Sequence, residues 1–104
     1  KLGFNLAESL SIKHNVIVVD KNIKALHSIQ ESLDILPLRG DIEDAKTYKS
    51  LMSKKIDLFI AVTNSDNANL ISTMIASSIL DIQKRFVRLR KYFNEVVVKN
   101  KLDI

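Results

Sequence analysis

At 104 residues, with 46% hydrophobic and 27% charged, the chain suits a single domain with one modest core. It contains no cysteine, which excludes disulfides and thiolate metal sites, and its 2 glycines and 1 proline leave no room for a low-complexity linker. No apolar run reaches the roughly 18 residues that span a bilayer, and a net charge of +4 on scattered lysines points only weakly to a polyanionic partner.

The first segment, K-L-G-F-N-L-A-E-S-L, repeats Leu2, Leu6 and Leu10 every four residues, which predicts a helix. Gly3 lies near its start, where glycine costs about 1 kcal/mol relative to alanine. The run N-V-I-V-V-D at 15–20 predicts a strand that ends on Asp20. Ile23, Leu26, Ile29 and Leu33 then recur at helical spacing. D-I-L-P-L at 34–38 predicts a second strand, which Pro37 places at a sheet edge because it cannot donate to a ladder. Ala45, Tyr48, Leu51 and Met52 predict a shorter third helix.

The run D-L-F-I-A-V-T at 57–63 predicts a third strand. Like Val16–Val19, its stretch Leu58–Val62 is apolar without alternation, so both faces are expected to be covered. Leu70, Ile71, Met74, Ile75 and Ile79 form a broad stripe on a fourth helix. R-F-V-R-L at 85–89 predicts a fourth strand that alternates: Val87 and Leu89 on one side, Phe86, Arg88 and Arg90 on the other. The tail from Tyr92 to Ile104 fits a helical stripe better than a strand, although Val96–Val98 favours β structure. Strands alternating with helices imply crossover units and a parallel α/β sheet.

In open parallel sheets ligands bind beyond the carboxyl ends of the strands. Asp20 ends the first run, where a carboxylate can accept from both hydroxyls of an adenosine ribose. Gly3 precedes it by 20 − 3 = 17 residues. If Gly3 is the third glycine of G-x-G-x-x-G, the first lies five positions earlier and the separation becomes 22, close to the roughly 20 of the dinucleotide fingerprint. Gly3, with Ala7 one turn on, then lets the first helix pack closely on a preceding strand. The alternatives are a solvated aspartate, or a cap for the helix near Asn22, and a glycine in a frayed end. Asn64, Ser65 and Asp66 open the fourth helix, as N-caps or as an anion-attracting N-terminus. Asp41, after Gly40, reads most simply as the N-cap of the third helix. Arg88 sits within a strand and can hold a phosphate bidentately, or lie on an exposed face. Arg85, Arg88, Arg90 and Lys91 with Phe86 and Tyr92 also sketch a weaker nucleic-acid patch. There is no Ser/His/Asp arrangement, and neither His14 nor His27 has a metal-ligand partner at helical spacing.

Taken in order, K-L-G-F-N-L-A-E-S-L, N-V-I-V-V-D-K-N, L-R-G-D-I, D-L-F-I-A-V-T-N-S-D-N-A-N-L and V-R-L-R resemble the KTN, or RCK N-terminal (TrkA-N), nucleotide-binding domain of potassium uptake and channel regulators. The block A-V-T-N-S-D-N-A-N-L carries most of the specificity. The resemblance implies a Rossmann-like parallel sheet of strand order 3-2-1-4-5 over residues 1–104, with the first strand missing from this sequence. A gap is then expected between the strands led by Val16 and Leu58, and the sequence is expected to be a fragment of a longer chain. It implies NAD(H) or ATP/ADP as ligand and no catalysis. It also implies a homodimer or higher homo-oligomer in the cytoplasm, at the inner face of the membrane through a potassium transporter or channel subunit, and no nucleic-acid partner. Residue by residue, Lys1 matches the basic position of the glycine-rich turn, and Leu2 leads to Gly3, its last glycine. Asp20 matches the ribose acid, with Lys21 after it. Asp41 and Ile42 match positions beside the adenine, Thr63, Asn64 and Asp66 the loop after the fourth strand of that order, and Arg88 a phosphate contact. The cofactor-binding half of an NAD-dependent oxidoreductase is the alternative; it requires a substrate domain that this chain does not contain.

Overall fold

The structure, a computed structural model, describes residues 2–90. Lys1 and the tail, for which a helix is expected, lie outside the described residues. The chain divides after Ile42 into two compact units.

The first unit runs α1 (Leu2–Ser11), β1 (Ile17–Asp20), α2 (Ile23–Ser32) and β2 (Leu36–Arg39). β1 and β2 pair in parallel, in register from Ile17 opposite Leu36 to Asp20 opposite Arg39. The amides of Leu36 and Gly40 donate to the carbonyls of Val16 and Asp20. Alternate amides of β2 therefore face β1, and Pro37, between them, turns its missing donor away from the ladder. This is the edge position that the proline requires. α2 is the crossover that a parallel pair needs, and it packs on both strands with Leu26 buried. Asn22 caps it: its side-chain oxygen accepts from the amides of Lys24 at 3.0 Å and Ala25 at 3.3 Å. Two otherwise unsatisfied donors depend on that one residue. Asn22→Ala should therefore cost about 1 kcal/mol, read as a lower denaturation midpoint at unchanged slope.

The second unit holds a 3₁₀ helix (Ala45–Leu51), β3 (Lys55–Ala61), α3 (Asp66–Ile79) and β4 (Asp81–Val87). β3 and β4 pair in parallel from Lys55 opposite Asp81 to Ala61 opposite Val87, and both start earlier than their apolar runs suggest. The alternation expected for β4 is present: Val87 and Leu89 are buried, and Phe86 and Arg90 are exposed. Tyr48 of the 3₁₀ helix meets Phe59 edge-on, with centroids 6.3 Å apart, and Arg85 donates from Nε to Ser77 of α3 at 2.6 Å. These contacts place the 59/61/85/87 face of the sheet against the helices.

Three expectations need correction. The third helix is 3₁₀ and is capped by Asp44, whose carboxylate accepts from the Lys46 amide; Asp41 is not its N-cap. The two unalternating runs are not fully covered: β1 is half-buried throughout, and Leu58 is 44% exposed. The apolar stripe of α3 is not its buried face, because Ile71 and Met74 are exposed while Asp66, Asn69, Ser72, Thr73 and Ala76 are buried. Small residues let the helix lie close to the sheet. The Ser72 and Thr73 hydroxyls donate to the Asn69 carbonyl, so their polarity is satisfied within the helix.

The α/β class with parallel strands and helical crossovers is as expected. The described pairings are β1 with β2 and β3 with β4.

Candidate functional site

In the first unit, the carboxyl ends of β1 and β2 are joined by the Gly40 amide, which donates to the Asp20 carbonyl at 3.1 Å. The Gly40-Asp41 turn thus lies beside Asp20. The Asp20 carboxylate accepts through Oδ1 from the Asn22 amide at 2.9 Å, a local turn of the kind that aspartate favours. Its other oxygen has no hydrogen-bond partner among the described residues. Asp20 and Ile42 are half-buried, and Lys21 and Asp41 are exposed. Leu2 and Gly3 open α1 and are exposed, whereas Ala7 on the same helix is buried.

In the second unit, Thr63, Asn64, Asp66 and Arg88 come together at the carboxyl ends of β3 and β4. The residue that gathers them was not among the predicted set. Asn69, on the second turn of α3, is 0% exposed. Its Oδ1 accepts from the Thr63 amide at 2.9 Å and the Thr63 hydroxyl at 2.6 Å. Its Nδ2 donates to the Thr63 carbonyl at 3.2 Å and the Arg88 carbonyl at 2.9 Å. Both hydrogens and both lone-pair positions of the amide are used. Only one orientation of the amide works, since two carbonyls can face only its NH2 group and two donors only its oxygen.

Ser65 is the N-cap of α3, accepting from the Ala68 amide at 3.1 Å. Asp66 follows at the electropositive end of the helix, where a carboxylate is favoured. It is buried, and its Oδ1 accepts from the Arg90 amide at 2.9 Å. The Arg90 guanidinium donates to the Asn64 carbonyl at 2.6 Å. Arg88 differs. Its amide extends the ladder to the Ala61 carbonyl at 2.9 Å, and its half-buried guanidinium makes no hydrogen bond or ion pair among the described residues. Of these two arginines, only Arg90 makes a side-chain hydrogen bond among the described residues.

The signal for Asn69 was its place inside the block T-N-S-D-N-A-N-L, but no periodicity marks it as buried. Elsewhere, His14 and His27 are exposed, and the described residues contain no group of three metal-binding side chains. No helix among them is long and apolar enough to cross a membrane.

The model of the TrkA-N domain family matches residues 1–103. A Trk system potassium uptake protein TrkA homolog of Archaeoglobus fulgidus is 30% identical over 79 residues, covering 76% of this chain and 18% of its own length. A Methanosarcina mazei homolog is 31% identical over 80 residues, 77% of this chain and 19% of its own length. The TrkA protein of Vibrio alginolyticus is 26% identical over 91 residues, 86% of this chain and 20% of its own length. The chain therefore spans no more than 20% of the length of these relatives.

Proposed function

The chain belongs to the TrkA-N domain family, and from that premise we propose that it is a regulatory nucleotide-binding domain of a potassium transport system. The relatives' names, which describe potassium uptake by a Trk system, support the transport role. The observation that carries the nucleotide role is Asp20. It stands at the carboxyl end of a parallel strand, with one carboxylate oxygen holding the local turn and the other without a hydrogen-bond partner among the described residues. That is the acceptor a ribose diol needs. The guanidinium of Arg88, without a hydrogen-bond partner among the described residues, is the matching donor for phosphate oxygens.

In this reading Lys1, Leu2 and Gly3 belong to the phosphate-binding turn. Lys21, Asp41 and Ile42 surround the adenosine beside Asp20, and Thr63, Asn64 and Asp66 form the loop next to Arg88. The ligand is NAD(H) or ATP/ADP. The domain is Rossmann-like and comprises residues 1–104, with strand order 3-2-1-4-5 in which β1 to β4 are strands 2 to 5. The domain performs no chemistry on the nucleotide. It acts in the cytoplasm, at the inner face of the membrane, as a homodimer or higher homo-oligomer bound to a potassium transporter or channel subunit. Bound nucleotide biases the shape of that assembly and thereby ion flux.

Calorimetric titration of NADH, NAD, ATP and ADP into the full-length protein tests the proposal. At least one should bind with a stoichiometry of one per chain. Failure of all four to bind would overturn the nucleotide role.

A further inference from the structure

The backbone ladder between β3 and β4 ends where the Arg88 amide meets the Ala61 carbonyl. Past that point only side chains can hold the two chain segments together. α3 supplies two of them. Asn69 grips Thr63 on one side and the Arg88 carbonyl on the other, and Asp66 accepts from the Arg90 amide. The Arg90 guanidinium adds a third stitch, to the Asn64 carbonyl. The result is an arginine whose backbone is pinned and whose guanidinium has no hydrogen-bond or ion-pair partner among the described residues. A fixed root with an available head is what a preorganised ligand donor requires.

We infer that Asn69 is a positioning residue for phosphate binding: it locks the loop after β3 to the exit of β4, so that this loop and Arg88 meet a phosphate group at a fixed spacing. Asn69 does not touch the ligand. It acts through Thr63 and Arg88, and the inference rests on the nucleotide-binding role proposed above.

The test titrates ADP and adenosine into the full-length protein as wild type, Asn69→Asp, Arg88→Gln and the double variant. Asn69→Asp keeps an acceptor for the Thr63 amide and hydroxyl but loses both donations, to the Thr63 and Arg88 carbonyls. The preference for ADP over adenosine should fall by about tenfold in each single variant, the loss of one charge-assisted contact. In the double variant it should fall no further than in Arg88→Gln, because residues acting as one unit are not additive. Thr73→Ala is the control. Among the described residues its hydroxyl bonds only to the Asn69 backbone carbonyl, so the substitution should lower stability and leave the preference unchanged.

Equal weakening of both ligands by Asn69→Asp, or losses that multiply in the double variant, would show a merely structural residue and overturn the inference while leaving the nucleotide role intact. A wild-type protein that binds neither ADP nor adenosine overturns this inference, and the nucleotide role falls with it only if NADH, NAD and ATP also fail to bind. Should Asn69→Asp not fold, Asn69→Ser replaces it. If that also fails, hydrogen exchange at the wild-type Thr63 amide decides: ADP should slow it more than adenosine does, and equal slowing overturns the inference.

Discussion

Asp20→Asn should weaken binding of ADP or NADH by about 10- to 100-fold, because hydrogen bonds to a charged acceptor contribute roughly 1.5–3 kcal/mol each and 1.4 kcal/mol is a factor of ten. The substitution is chosen for what it preserves. Asparagine keeps an Oδ1 for the Asn22 amide, so the turn that leads into α2 stays closed. The denaturation midpoint should therefore barely move, within the ±0.5 kcal/mol typical of surface changes. A second readout separates a ribose contact from a general loss of structure. A carboxylate at this place repels a 2′-phosphate, so removing its charge should narrow the gap between NADH and NADPH. Calorimetry with the two dinucleotides measures both effects. Binding of NADH unchanged by Asp20→Asn would remove Asp20 from the site.

Asn69→Leu should be among the most damaging single substitutions in the second unit, at about 3 kcal/mol. Leucine has a similar volume, so packing is roughly kept. What is lost is the partner for two donors on Thr63 and for the carbonyls of Thr63 and Arg88. Leaving a buried polar group unpaired costs about 1–3 kcal/mol. These groups are only part-buried, so water recovers some of that, and the total falls short of a simple sum. Urea denaturation followed by circular dichroism gives the number. A loss below about 1 kcal/mol would mean that the amide is not the fastener its geometry indicates.

These two residues also mark what was legible in the sequence. The place of Asp20 at a strand end was legible because it depends on position along the chain: a carboxylate closing an apolar run. The order of helices and strands was legible for the same reason, as was the edge role of Pro37. Asn69 was not, because its partners lie 6 and 19 residues away, and only folding brings them together. The buried face of α3 was missed on related grounds. Apolar periodicity assumes that the larger hydrophobic side is the packed side. Here Ser72 and Thr73 satisfy their own hydroxyls on the helix backbone, which frees small residues to face the sheet. The hydrogen bond from the Arg90 guanidinium to the Asn64 carbonyl was likewise invisible, because 26 residues separate the two. The third helix became 3₁₀ with Asp44 as its cap, although Asp41 carries the same side chain, because Asp44 stands immediately before the first helical residue.

The outward stripe of α3 places one of the chain's sulfur atoms on the surface. The sequence has no cysteine and two methionines, Met52 and Met74, which are 55% and 63% exposed. Peroxide can therefore convert both thioethers to sulfoxides without entering the core, and the usual route by which such oxidation unravels a protein is closed here. Met74 then becomes a built-in chemical reporter. Its rate of oxidation, read by mass spectrometry against Met52, measures how open the outer side of α3 is to solvent in any state of the protein that can be prepared.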